Sequence, residues 1–121
     1  MTAEEYLEGC DMLLEGKSPR EVLRQALDII EESDRWDPVT QDAAGFLTRP
    51  QSPTAVRWSI EGAIARCCNN YGILPPYFMK LLDEVLVTHF GFEWNVPYFE
   101  QHHGHDDVCT LLQLAIERAP G

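Results

Sequence analysis

Apolar residues that return every three or four positions constrain this chain more than any other feature. Val22, Leu23, Ala26, Leu27, Ile29 and Ile30 form one such stripe. Tyr77, Phe78, Leu81, Leu82, Val85, Leu86 and Phe90 form a second, and Val108, Leu111, Leu112, Ala115, Ile116 and Ala119 a third. Steps of three and four follow the 3.6-residue turn of an α-helix and not the two-residue alternation of a strand. Start signals agree with the stripes. Ser18-Pro19-Arg20-Glu21 sets a hydroxyl at the N-cap, proline in the first turn and a carboxylate three residues on. Thr2-Ala3-Glu4-Glu5 repeats the hydroxyl and the carboxylate. Pro75-Pro76 opens the most apolar stripe, and Gly91 closes it.

Two further helices are read from weaker patterns. Ala3, Tyr6, Leu7, Cys10, Leu13 and Leu14 predict a helix over residues 2–15, stopped by Gly16. Val56, Ile60, Ala63, Ile64 and Cys67 predict one from Ser52-Pro53-Thr54 to Asn70. Pro38, Gly45, Pro50 and Pro53 mark residues 37–53 as an irregular connection around the apolar patch Ala43–Leu47; a β-hairpin there is an alternative that no alternation supports. Residues 92–105 form a second irregular stretch. The expected fold is all-α: a single compact bundle of about five helices with two long irregular loops. Residues 1–17 would be an additional N-terminal acidic helix on a core domain of residues 18–121, the whole being one globular domain.

Charge narrows the partners. The chain of 121 residues carries 20 acids against 9 bases, a net charge of −11. Direct binding to nucleic acid needs a positive surface, and an anionic membrane surface needs the same. Neither is expected here, and no apolar run reaches bilayer length. With no leader visible, a cytoplasmic location is expected, with Cys10, Cys67, Cys68 and Cys109 as free thiols.

Arg57-Trp58-Ser59-Ile60-Glu61-Gly62-Ala63-Ile64, the later Trp94-Asn95 and the ending Gly104-His105-Asp106-Asp107-Val108-Cys109-Thr110-Leu111-Leu112 resemble an uncharacterised family of small bacterial and bacteriophage proteins. Its members show a leading helix that ends in tryptophan, matched here by Trp36. A Trp-Cys-x-x-Gly-Ala block, a Trp-Asn-Asp block and a Leu-rich last helix follow. The chain departs from that pattern at Ser59 in place of cysteine, at Val96 in place of aspartate, and at His105-Asp106 in place of Arg-Thr. The resemblance spans roughly residues 18–119, leaves the first helix outside, and implies a bacterial or phage origin without implying a reaction.

Several constellations carry chemistry worth locating. His102, His103 and His105 with Asp106 and Asp107 are metal-ligand types, but no H-E-x-x-H or C-x-x-C spacing accompanies them. They are weak candidates beside the expectation of no metal and no cofactor. Cys67 and Cys68 are vicinal, and about 100° of helical rotation separates them. One is expected to face the core and the other to flank it. Glu61 stands in an apolar helix with Arg57 four residues before it, which is ion-pair spacing on a helix. Glu4, Glu8, Asp11 and Glu15 fall in one helical sector as a negative ridge. Trp94, Asn95 and Tyr98, with Phe99, are aromatic and hydrogen-bonding groups of the kind that anchor interfaces.

No catalytic residue is assigned. The primary expectation is a non-enzymatic binding protein, an accessory factor that inhibits or sequesters a host component, with a possible counter-defence role. Its partner would be a host protein with a basic surface facing the ridge. A sponge for a nucleotide-like small molecule is the alternative, with stacking on Trp58 or Trp94 and hydrogen bonds to Asn95 and Glu61. A metal-dependent hydrolase built on the histidines is the second alternative.

Overall fold

The computed structural model describes residues 3–9, 16–68, 75–91 and 95–121. Five α-helices stand among the described residues: α1 (Pro19–Ile30), α2 (Ile60–Cys67), α3 (Pro76–Val85), α4 (Val96–His102) and α5 (His105–Arg118). Two short strands, β1 (Gln41–Asp42) and β2 (Ala55–Arg57), pair antiparallel, with Gln41 opposite Arg57 and Asp42 opposite Ala55. The fold is mostly helical, with one small sheet where sequence patterning predicts an irregular connection running into a helix.

Three of the expected helices form from the signals that predict them. Ser18 Oγ accepts the Glu21 backbone N–H at 3.1 Å and caps α1. Pro76 stands in the first turn of α3. That helix runs on as a π-helical turn over Leu86–Phe90 and ends on Gly91, whose φ of +63° is left-handed. α5 begins at His105 with Asp106 and Asp107 in its first turn and Arg118 in its last, each favourable to the helix dipole.

Elsewhere the boundaries shift. The chain from Ser52 does not enter a helix. Ser52 Oγ accepts the Thr54 N–H at 3.2 Å, and Ser52 O accepts the Ala55 N–H at 3.2 Å, which closes a turn. Ala55–Arg57 then extends as β2. The helix starts only after Ser59, whose Oγ accepts the Gly62 N–H at 3.0 Å. Residues 92–105, read as irregular, contain α4: Asn95 Oδ1 caps it by accepting the Tyr98 N–H at 3.0 Å, and Pro97 stands in its first turn. Asn95 and Pro97 are loop formers by composition, but at this spacing they are a helix start. The N-terminal segment is a 3₁₀-helix over Ala3–Gly9. Its three-residue turn does not align residues four apart, as an α-helix would.

α1 packs on α2 and α5, while α3 packs on the N-terminal 3₁₀-helix and on α5. Leu23, Ile30, Ile60, Ile64, Tyr77, Phe78, Leu82, Leu86, Phe99, Leu111 and Leu112 are the largest fully buried side chains. Burial of each large apolar side chain contributes roughly 2 kcal/mol, so this core and not the charged surface holds the fold. Ala3 belongs to the same core, with Tyr6 and Leu7 packed against it. The Ala3 N–H donates to Glu84 Oε1 at 2.7 Å. The N-terminal segment is thereby fastened to α3.

Candidate functional site

Two tryptophans, Trp36 and Trp58, meet beside the sequence-predicted Arg57 and Glu61. Trp36 and Trp58 lie side by side in a parallel bridge: the Trp58 N–H donates to Arg35 O at 2.9 Å, and the Asp37 N–H donates to Trp58 O at 3.3 Å. The Trp36 indole N–H donates to Glu100 Oε2 at 2.8 Å. The Ile60 backbone N–H, in the first turn of α2, donates to the same oxygen at 3.0 Å. Glu100 is 2% exposed. Burial pushes its carboxyl up to about 8, against the pull of those two N–H groups and with help from Glu61 and Asp37. Around neutrality the group is substantially protonated.

Glu61 and Asp83 extend this acidic neighbourhood. Burial is the main cause that raises Glu61, and the Asp83 charge is the second. Burial also raises Asp83, while Lys80 lowers it. Asp83 Oδ1 is buried without a hydrogen-bond partner among the described residues. Arg57 does not pair with Glu61. It lies in β2, before the N-cap of α2, so the helical i, i+4 geometry assumed from spacing does not exist.

Trp58 is 9% exposed. Its indole N–H donates to Pro50 O at 3.1 Å, and the Arg66 guanidinium lies 5.2 Å from its ring centre. Little of the ring is open for a base to stack on. Arg66 Nη1 also donates to Pro50 O, at 2.8 Å, and Gln51 Nε2 donates to Ala65 O at 2.8 Å. Together these contacts anchor residues 50–51 to α2.

Beyond that anchor stands a tight hairpin tip. Asp42 Oδ1 accepts the N–H groups of Ala44 at 2.9 Å and Phe46 at 3.0 Å. Gly45 takes a φ of +87°, which a side chain would strain. The Asp42 N–H donates to Phe46 O, and the Thr48 N–H donates to Thr40 O. So braced, the tip presents Phe46, 71% exposed, and Leu47, 77% exposed. Val39 and Val56, on the flanking segments, are exposed as well. Residues 43–60 contain Arg49 and Arg57 and no acid.

The remaining predicted residues disperse. Asn95 caps α4, and the exposed Tyr98 stacks on His102 with ring centres 4.0 Å apart. Phe99 is buried. Trp94, Asp11, Glu15 and the side chain of Glu8 lie outside the described residues. Glu4 is exposed and stands at a cavity beside Arg20 and Arg118. The histidines do not converge. His102 Nδ1 is 2.9 Å from Tyr98 O, His103 Nδ1 is 2.9 Å from Asp107 Oδ2, and His105 Nε2 is 2.6 Å from Ile30 O. Among the described residues no three His, Cys, Asp or Glu side chains are placed to hold a metal ion. Cys67 and Cys68 are both buried, not one of each kind; Cys68 is the C-cap of α2, and its N–H donates to Ile64 O at 3.0 Å. Burial pushes the Cys67 thiol up to about 11, far from a nucleophile's range. No helix among the described residues is long and apolar enough to cross a membrane.

Sequence reasoning passed over Glu100 and the hairpin tip. A signal for the first was present: Val96, Phe99 and Glu100 fall at i, i+3 and i+4, one face of α4, so the carboxylate follows two buried apolar groups inward. The second was visible only as a short apolar patch. Comparison with known proteins matches residues 14–118 to the model of a family of unknown function, DUF6197. No curated protein and no solved structure matches the chain.

Proposed function

The chain belongs to DUF6197, a family of unknown function, and we propose that it is a non-enzymatic binding protein whose contact surface is the hairpin over residues 39–57. One observation carries this reading: Phe46 and Leu47 are the two most exposed large apolar side chains among the described residues, and they sit on a hydrogen-bonded tip. Exposed apolar groups cluster where a partner covers them, and aromatic anchors dominate binding energy. Arg49 and Arg57 flank the tip in a chain of net charge −11. The fitting partner is a protein with an apolar cleft rimmed by acids. We favour that chemistry over the basic partner surface expected from the N-terminal ridge, of which Ala3–Gly9 forms a 3₁₀-helix and Asp11 and Glu15 lie outside the described residues. The setting attached to this reading is a bacterial or phage accessory role in which the protein inhibits or sequesters a host component. Its support is the family resemblance alone.

Affinity capture from source-cell extract tests the proposal. Replacing both Phe46 and Leu47 by serine is expected to leave thermal stability unchanged and to abolish the capture seen with the native chain. Arg49→Glu is expected to weaken capture, more so at low salt. Capture that survives the double serine variant refutes the hairpin as the contact.

A further inference from the structure

On another side of the molecule a half-open cavity of about 700 Å³ lies between the N-terminal 3₁₀-helix, the start of α1, α3 and the end of α5. This volume is within the range of small-molecule sites. Leu7, Tyr77, Leu81 and Ala119 supply apolar wall, and Arg20 and Arg118 supply the cations. Each arginine is held by a neutral oxygen: Arg20 Nε donates to Ile116 O at 3.0 Å, and Arg118 Nη2 donates to Thr88 Oγ1 at 2.6 Å. Neither makes an ion pair among the described residues, although 20 acids face 9 bases in the chain. Two acids line the same cavity: Glu84, which accepts from the Ala3 backbone N–H, and the exposed Glu4, which makes no ion pair with either arginine. Two guanidiniums that make no ion pair among the described residues, at one cavity with an apolar wall, form an arrangement suited to an anion with a hydrophobic body.

We propose that this cavity binds a small molecule that carries a carboxylate or phosphate on an apolar frame. The anion lies against Arg20 and Arg118, and the frame lies on Leu7, Tyr77 and Leu81. The Arg20 backbone N–H donates to Pro120 O at 3.2 Å, so the C-terminal segment is tied to the start of α1 at this wall. A bound anion would therefore brace the start of α1 against the end of α5. The cavity shares no residue with the hairpin, and this inference stands or falls independently of the binding role assigned there.

Two-dimensional NMR of the isotope-labelled full chain tests it, with phenylacetate, phenyl phosphate and neutral phenylethanol as probes. Saturable shifts at the side chains of Arg118, Leu7 and Leu81 with one or both anions, and none with the alcohol, are the expected result. The anion that binds more tightly identifies the head group. Arg118→Gln, on the exposed end of α5, is expected to weaken binding at least about tenfold with the spectrum otherwise native. Arg24→Gln, outside the cavity, is expected to change nothing. Absence of saturable shifts with either anion overturns the proposal. Binding of the alcohol equal to that of the anions, or affinity untouched in Arg118→Gln, overturns it too.

Discussion

The indole of Trp36 and the carboxyl of Glu100 meet at 2.8 Å across 64 residues of sequence. This bond joins the segment after α1 to α4 at the first turn of α2. Glu100 is nearly inaccessible and accepts a second N–H from Ile60 on the same oxygen. Trp36→Phe removes one donor from a buried acceptor, which is expected to cost about 1–3 kcal/mol. Chemical denaturation of the two proteins side by side measures it. A variant as stable as the native chain would show that the bond carries no net stability.

The raised Glu100 carboxyl sets a pH dependence with a definite sign. In the unfolded chain the group titrates near 4.5, and in the folded chain at about 8. Its contribution is complete below the lower value and is lost as pH rises through the higher one, with a limiting slope of ~1.4 kcal/mol per pH unit. Glu61 and Asp83, also raised, act in the same direction. Stability is expected to fall between weakly acidic and weakly alkaline pH. In Glu100→Gln the amide oxygen keeps both N–H donors, and the curve is expected to flatten. Denaturation midpoints across that range decide it, and identical pH profiles would contradict the assignment.

Gly62 is fixed by a close approach. A Cβ at this position would run into the Thr40 hydroxyl, which also lies 3.4 Å from the Ser59 N–H. Gly62→Ala is expected to destabilise by about 1–3 kcal/mol despite the better helix propensity of alanine. Adding Thr40→Ala is expected to recover much of that loss. Calorimetric unfolding of the single and double variants checks both statements.

Ser18 and Asn95 are expected to behave as helix caps. Ser18→Ala and Asn95→Ala are each expected to cost about 1 kcal/mol, read from denaturation midpoints.

α1, α3 and α5 were legible because three local signals coincide in each: an apolar stripe, a start residue and a stop residue. The boundaries of α2 were not. Val56 fits the apolar stripe of the following helix, yet it is an exposed strand residue, because Ala55–Arg57 is pulled into pairing with Gln41–Asp42. A two-residue strand leaves no alternation to read, and its partner lies beyond a long connection. α4 was missed because aromatic and histidine content masked a seven-residue helix whose cap and proline were both present. The Glu61–Arg57 pair failed for the same reason as α2: spacing measures proximity only when both residues occupy the helix. Arg20 and Arg118 share a cavity through the tertiary packing of α1 on α5, which no local pattern encodes.

The binding role rests on the hairpin tip meeting a partner, and site-specific photo-crosslinking inside the source cells reads that directly. A photoreactive phenylalanine analogue at position 46 is expected to yield a discrete crosslinked protein, suppressed by Leu47→Ser. The same group at position 113, on the exposed face of α5, is expected to yield none. No adduct from position 46, or the same adducts from both positions, would contradict the assignment of Phe46 and Leu47 as the contact.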